Sequence, residues 1–295
     1  MKKVIKIGTR ESQLAVWQAT LVQKLLLENG VASELVYIKS EGDVDTVTPL
    51  YELGVQGIFT KSLDAALLNN RIDIAVHSMK DVPTKLAEGI KQAAVLKRAS
   101  FKDIIVYKND PSLLEDKNSI ATIATSSIRR MAQWLHRYPN HSVENLRGNV
   151  NTRLRKVSEH TWNGAIFAAA GLERIDLRPK TSFDLDWMLP SPAQGAIVIV
   201  CRENDNYSFD STHVLNDDNT ALCTKIEKDF LRALSGGCST PISGLAKVKG
   251  DKIIFKGNIC STAGKQIIEI EKQSAHTAAS ELGYTAGNEL LQNEE

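Results

Sequence analysis

The chain has 295 residues, with 36 lysines and arginines against 35 aspartates and glutamates and a formal net charge of +1. That length leaves room for two or three domains, each with its own core. The near-neutral balance excludes a protein whose whole surface is basic enough to coat a nucleic acid. The neutrality conceals an asymmetry. Eight of the 13 arginines lie between Arg129 and Arg178, where with Lys156 they meet only Glu144, Glu159, Glu173 and Asp176. Arginine grips planar anions bidentately. The longest apolar run, Ala165 to Leu172, is far short of the ~20 residues a membrane helix needs. Met1-Lys2-Lys3 leads into a strand-like stretch rather than a signal-peptide core. Cys201, Cys223, Cys238 and Cys260 form no C-x-x-C pair. Together these features predict a cytoplasmic protein with reduced thiols and neither a zinc site nor a disulfide framework.

In chain order, Val4 to Gly8 reads as a strand, and Leu14, Trp17, Leu21 and Leu25 as the face of a helix closed by Gly30. A strand from Glu34 to Ile38, a helix from Ile58 to Asn69 and a buried strand from Ile72 to Val76 follow. Such alternation predicts parallel α/β sheets. Ile120 to Thr125, Ser126 to Tyr138, Ser142 to Leu146, Asn149 to Ser158 and Ala165 to Ala170 repeat the pattern, and the arginine-rich window lies inside this second unit. A strand-like run from Ala196 to Cys201 comes after Leu189-Pro190-Ser191-Pro192, and the polar stretch from Asn204 to Thr220 predicts a linker. Beyond it, a helix from Ala221 to Leu234, strands at Leu245 to Val248, Lys252 to Ile259 and Gln266 to Ile270, and a closing helix make an α+β tail.

Three strand-to-helix junctions share one design. Gly8-Thr9-Arg10-Glu11-Ser12, Thr125-Ser126-Ser127-Ile128-Arg129-Arg130 and Arg147-Gly148-Asn149-Val150-Asn151-Thr152-Arg153 each put Ser, Thr or Asn caps and arginine at a helix start. A helix N-terminus attracts anions through unpaired donors and its dipole, and arginine adds a charge-assisted fork. Each junction alone also reads as ordinary capping. Jointly they predict a cleft between two α/β domains for a ligand with several carboxylates or phosphates, at the carboxyl ends of strands. His77-Ser78-Met79-Lys80-Asp81-Val82-Pro83 follows directly on a strand, and its proline predicts a loop. Its Lys80–Asp81 pair is either a surface pair or a carboxylate placed to stabilise a cation or move a proton, while His77 reads as a packed strand residue. Leu53-Gly54-Val55-Gln56-Gly57-Ile58-Phe59 is an ordinary loop or a mobile lid; it lacks the Gly-Lys-Ser/Thr ending of a phosphate loop. Leu234-Ser235-Gly236-Gly237-Cys238 sets a cysteine after paired glycines, which permit positive φ and leave room for a ligand. Buried cysteines are commonly inert. Cys201 and Cys260 fall in predicted strands and Cys223 in a predicted helix, so Cys238 is the candidate reactive or modified thiol.

These segments together resemble the porphobilinogen deaminase (hydroxymethylbilane synthase) family of tetrapyrrole biosynthesis. The resemblance is carried, in the family's order, by Gly8-Thr9-Arg10 with Ser12 and Trp17-Gln18, by Asp73 through Pro83, by Thr125 through Arg130, and by Leu146 through Val150 with Thr152-Arg153-Leu154. It continues through Ala169-Ala170-Gly171-Leu172 with Arg174, Pro192 through Ala196, and Gly236-Gly237-Cys238 with Pro241-Ile242. It implies two α/β domains like the type II periplasmic binding proteins, at 1–96 with 197–214 and at 101–192, and a small α+β domain at 219–295. It implies that Cys238 carries a dipyrromethane cofactor through a thioether. Four porphobilinogen molecules are added to it, each losing ammonia, before hydrolysis releases hydroxymethylbilane. Each ring bears an acetate and a propionate, so the arginine-rich sites suit the ligand. By motif match Asp81 stabilises the positive charge that develops on the pyrroles. Lys80, Ser126, Arg129 and Arg130 hold cofactor carboxylates, and Arg10, Ser12, Arg147, Arg153 and Arg174 hold those of substrate and growing chain. The lid is Gly54, Gln56, Gly57 and Phe59, where the family usually has Gly-Gly-Lys-Gly. Glu52, Ser62-Leu63-Asp64 and Val200 also depart from the usual pattern. The implied protein is a cytoplasmic monomer that needs no metal, nucleotide, nucleic acid or membrane. Two other functions would use the same anion sites: a non-catalytic bilobal binding protein, and a phosphate-ester enzyme, which would want a metal-ligand or nucleophile constellation that the sequence does not offer.

Overall fold

Residues 3–39, 60–108, 111–236 and 240–292 are described by a computed structural model. In chain order its elements are β1 (Ile5–Thr9), α1 (Gln13–Glu28), β2 (Ser33–Tyr37), α2 (Lys61–Leu68), β3 (Ile74–Ser78), β4 (Ile90–Val95), β5 (Asp103–Tyr107), β6 (Thr122–Ala124), α3 (Ile128–Arg137), β7 (Ser142–Glu144), α4 (Val150–Glu159), β8 (Gly164–Ala168), α5 (Ala169–Glu173), β9 (Ser182–Asp184), β10 (Ile197–Arg202), α6 (Asn206–His213), α7 (Asp218–Ala233), β11 (Ile242–Lys249), β12 (Lys252–Cys260), β13 (Ile267–Ala275) and α8 (Leu282–Gln292). They build two α/β sheets and a small C-terminal sheet, the architecture the resemblance implies. By contacts the chain divides into two compact units. One takes the described residues up to 99 with 195–221; the other takes the described residues 100–194 and those from 222 onward.

The sheet of the first unit has the order β2-β1-β3-β10-β4. β1 pairs in parallel with β2 and β3, as the alternation predicts. β10 runs antiparallel to both β3 and β4, which corrects the expectation of an all-parallel sheet. β10 enters after the long excursion through residues 100–194 rather than through a βαβ crossover, so no crossover helix imposes a parallel sense. α1 lays Ala19, Val22 and Leu26 on Ile5, Ile7, Ile74 and Val76, and burying each larger aliphatic side chain contributes about 1.5–3 kcal/mol. The stretch predicted as a linker instead holds α6 and the first turn of α7. Asp205 caps α6 by accepting the Ser208 N–H at 3.0 Å, Phe209 stacks on His213 with ring centres 4.9 Å apart, and Thr212 donates its hydroxyl to the Ser208 carbonyl at 2.7 Å. Caps and internal hydrogen bonds carry this helix, and they leave no apolar period to read. Beyond His77 and Ser78, which still belong to β3, Met79–Asp81 forms one 3-10 turn where a loop was expected.

The second unit has one sheet in the order β7-β6-β8-β5-β9 and an antiparallel β11-β12-β13 sheet. β6 is parallel to β7 and β8; β5 is antiparallel to β8 and β9. The third sheet packs on α7 and α8. Phe230 is fully buried with its ring 4.9 Å from that of Phe255, and Gly257 lies so close beneath Phe230 that a Cβ there would collide with the ring. Glu227 of α7 is completely buried. Its two carboxylate oxygens accept the backbone N–H groups of Ala193, at 2.6 Å, and Ala246, at 2.8 Å. Ala193 has φ +61°, a left-handed conformation that costs a non-glycine residue about 1–3 kcal/mol, and the buried carboxylate holds it there.

In the first unit Asp73 ties the sheet to α6. Its carboxylate accepts the Lys6 N–H at 2.9 Å and pairs with Lys3 at 2.9 Å and Arg202 at 3.2 Å; Arg202 in turn reaches Asp205 at 2.6 Å. Burial opposes ionisation of Asp73, but the Lys6 N–H, Lys3 and Arg202 outweigh it and hold the carboxyl below its ordinary value. A depressed carboxyl stabilises the fold above its unfolded value and ceases to do so as pH falls through its native one. Asp73→Asn is therefore expected to lower stability by about 1–3 kcal/mol at pH 7. In urea titrations the gap to the unaltered protein should close as pH drops below about 4; a gap of constant size down to strong acid would contradict the assignment.

Candidate active site

In the first unit the site grows from two neighbouring parallel strands. Gly8 of β1 lies opposite Ala75 of β3, so Thr9–Arg10 and Ser78–Asp81 leave the sheet at one carboxyl edge, where open α/β sheets bind ligands. Ser12 caps α1 by accepting the Ala15 N–H at 3.4 Å. Gln18, buried one turn and a half further on, donates to Ser78 Oγ at 2.8 Å. The Met79 N–H donates to the Ala196 carbonyl at 3.0 Å and the Val82 N–H to the Met79 carbonyl at 3.2 Å. Lys80 and Asp81 thus stand half-buried on a turn fixed from three sides. Burial first, and the charge of Arg10 second, push His77 down to about 4, so it is neutral at pH 7. It is packed in β3, as expected of it, and its Nε2 meets no hydrogen-bond partner among the described residues.

In the second unit β7, β6 and β8 are parallel neighbours, and their carboxyl ends deliver the remaining expected residues. Ser126, Arg129 and Arg130 follow β6, Arg147 and Arg153 follow β7, and Arg174 follows β8 and α5. Ser127 caps α3 by accepting the Arg130 N–H at 3.4 Å, and Asn149 caps α4 by accepting the Thr152 N–H at 3.0 Å. Ordinary capping is thus present at all three junctions, and it satisfies only one of the orphan donors at each helix start. Ser126 Oγ donates to the Leu146 carbonyl and accepts the Leu146 N–H at 3.0 Å, joining the junction after β6 to the one after β7. Arg147 is buried. Arg153 folds back to donate from Nε to the Gly148 carbonyl at 2.7 Å; Gly148 has φ +110°, and a Cβ there would strike Thr152. Burial pulls Arg174 down to about 10 against the opposing charge of Glu173, which still leaves it cationic at pH 7.

The arginine pair has a partner that the sequence did not single out. Asp103, wholly buried at the start of β5, lies opposite Ala168 at the carboxyl end of β8. Its Oδ1 accepts Arg130 Nε at 3.0 Å, Arg130 Nη2 at 2.8 Å and Gln194 Nε2 at 3.0 Å; its Oδ2 forms an ion pair with Arg129 Nη2 at 2.8 Å. Gln18 and Gln194 were likewise not assigned roles. Asp103 and Gln18 are polar residues in a largely apolar strand and helix, and Gln194 is a buried polar residue in the turn that leads into β10.

Gly54, Gln56, Gly57, Phe59 and Cys238 lie outside the described residues. Cys201, Cys223 and Cys260 are buried and form no disulfide among the described residues. A cavity of about 560 Å³ in the second unit, walled by His136, Arg137, Trp187 and Ile267, sits at the far end of α3 and is lined by none of the expected residues. No helix among the described residues is long and apolar enough to cross a membrane.

Residues 5–209 match the family model "Porphobilinogen deaminase, dipyromethane cofactor binding domain", and residues 221–292 match "Porphobilinogen deaminase, C-terminal domain". Among curated relatives, the chloroplastic porphobilinogen deaminase of Pisum sativum is 40% identical, over 98% of this chain and 81% of its own length. The porphobilinogen deaminase of Chlorobium phaeobacteroides is 38% identical over 99% and 94%, and that of Listeria innocua 39% over 99% and 96%. Among solved structures, the methionine-binding protein MetQ aligns with a TM-score of 0.45 at 14% identity, over 72% of this chain and 89% of that one. Two family models matched in order along almost the whole sequence, and relatives so similar over nearly their full lengths, leave one conclusion: the chain belongs to the porphobilinogen deaminase family.

Proposed function

We propose that the protein is the enzyme that condenses four porphobilinogen molecules head to tail, with loss of ammonia, onto a covalently bound dipyrromethane primer and then releases hydroxymethylbilane by hydrolysis. The observation that supports this reading is the delivery of arginines from the ends of three neighbouring parallel strands, β6, β7 and β8, at one carboxyl edge of the second unit's sheet. A monocarboxylate or a single phosphate does not need that many; a polypyrrole with an acetate and a propionate on each ring does. The donor set therefore fits the primer. When bound, the primer supplies the nucleophilic pyrrole carbon to which each new ring is joined.

In this reading the chain's own residues have three tasks. Arg129, Arg130, Lys80 and Ser126 hold primer carboxylates, while Arg10, Ser12, Arg147, Arg153 and Arg174 hold those of the incoming and growing rings, by charge-assisted hydrogen bonds. Asp81 supplies a fixed negative charge near the pyrrole N–H as the aminomethyl carbon loses ammonia, and helps carry away the proton released when the new carbon–carbon bond forms. Pinning of the Met79–Asp81 turn by Gln18 and Ala196 supports this, since a pre-oriented carboxylate pays no reorganisation at the moment of reaction. Cys238 anchors the primer. Burial raises the Cys201 thiol, and pushes that of Cys260 up to about 11, so these two stay protonated and unreactive at neutral pH. Gly54, Gln56, Gly57 and Phe59 form the lid. We further propose three domains, 1–96 with 197–214, 101–192 and 219–295, in a cytoplasmic monomer; the three separate sheets support that division.

Intact-mass measurement of the purified protein is expected to show the sequence mass plus one dipyrromethane, mapped by peptide analysis to Cys238; an active preparation with an unmodified Cys238 would remove the anchor assignment. Asp81→Asn is expected to retain the primer, with turnover reduced by about 100-fold or more; turnover near that of the unaltered enzyme would exclude Asp81 from the chemistry.

A further inference from the structure

The arginine pair is unequally held. Arg130 gives Nε and Nη2 to Asp103 and Nη1 to the Ile166 carbonyl at 2.9 Å, so all three of its nitrogens are engaged by the protein itself. Arg129 gives Nη2 to Asp103 and Nη1 to the Leu189 carbonyl at 2.8 Å. Both side chains are about 95% buried and Asp103 entirely so. Among the described residues, the ion pairs of this cluster join two guanidinium groups to one carboxylate. A buried charge without a counter-charge is strongly disfavoured, and the nearby thiol does not supply one, because Cys260 is held protonated by its burial against the pull of Arg129. The charge of Arg129 also acts on Cys260, whose N–H donates to the Pro241 carbonyl at 3.0 Å, and Pro241 is three residues from Cys238 in the sequence.

We infer that Asp103 is a positioning residue of this site: it binds Arg130 as a buried strut and leaves one surplus positive charge, carried by Arg129, to be completed by a carboxylate of the primer. This rests on the function proposed above. Primer uptake then follows the positive charge left unneutralised on Arg129 rather than the number of arginines.

The test is a set of variants of the full chain, each produced in cells and read by intact mass for the fraction carrying dipyrromethane, with the melting temperature as the control for folding. Arg130→Met leaves Arg129 and Asp103 neutralising each other, and the loaded fraction should fall by about ten-fold or more. Asp103→Asn with Arg130→Met restores the single surplus charge, and loading should return; Asp103→Asn with Arg129→Met keeps the same net charge without Arg129, and loading should stay low. A folded Asp103→Asn/Arg130→Met protein as empty as Arg130→Met alone, or an Arg130→Met protein loaded like the unaltered chain, would overturn the inference. Should the double variant not fold, Arg130→Lys decides: it keeps the charge and the pairing with Asp103, so rescue of loading is expected and a folded, empty Arg130→Lys protein counts against the proposal. Absence of the adduct from the unaltered chain would instead defeat the proposed function itself, so the two failures are distinguishable.

Discussion

Guanidinium groups cannot be taken out of water in pairs without a carboxylate among them, and the second unit is arranged around that requirement. Asp103 meets it, and it can do so only because β5 runs against β8. In a parallel sheet the amino end of β5 would lie at the opposite edge, far from the junctions that deliver Arg129 and Arg130. The first unit uses the same device for a different purpose. β10, antiparallel to β3, brings the Ala196 carbonyl to the carboxyl edge, where it accepts the Met79 N–H and steadies the turn that bears Lys80 and Asp81. In each unit a reversed strand hands a fixed acceptor to the edge where parallel strands end.

Much of this was legible in the sequence for local reasons. A cap and an arginine at a helix start are neighbours along the chain, so the three junctions could be read directly, and all three caps are present. The same holds for the strand that leads to Asp81. What could not be read depends on pairing between distant segments. Asp103 lies 27 residues before Arg130 and outside the arginine-rich window, so charge counted along the chain assigns it to no one. Gln18 reaches Ser78 across 60 residues. The antiparallel sense of β5 and β10 is a property of the sheet, with no mark in the strands themselves, and α6 is held by caps and hydroxyl bonds rather than by an apolar stripe. Charge, by contrast, was legible by position: the chain is nearly neutral in total, yet its central window is strongly cationic.

The clamp at Glu227 bears on how the molecule is made as well as on how it is held. Ala193 leaves the ribosome 34 residues before the carboxylate that accepts its N–H, and Ala246, which takes the other oxygen, follows that carboxylate by 19. During synthesis the left-handed turn is therefore present first, its clamp second and the strand that completes the clamp last. The complete clamp on the segment that leads into β10 can form only once the residues of α7 and β11 have been made. At this point the constraint on an earlier segment is supplied by later ones, against the direction in which the chain is made.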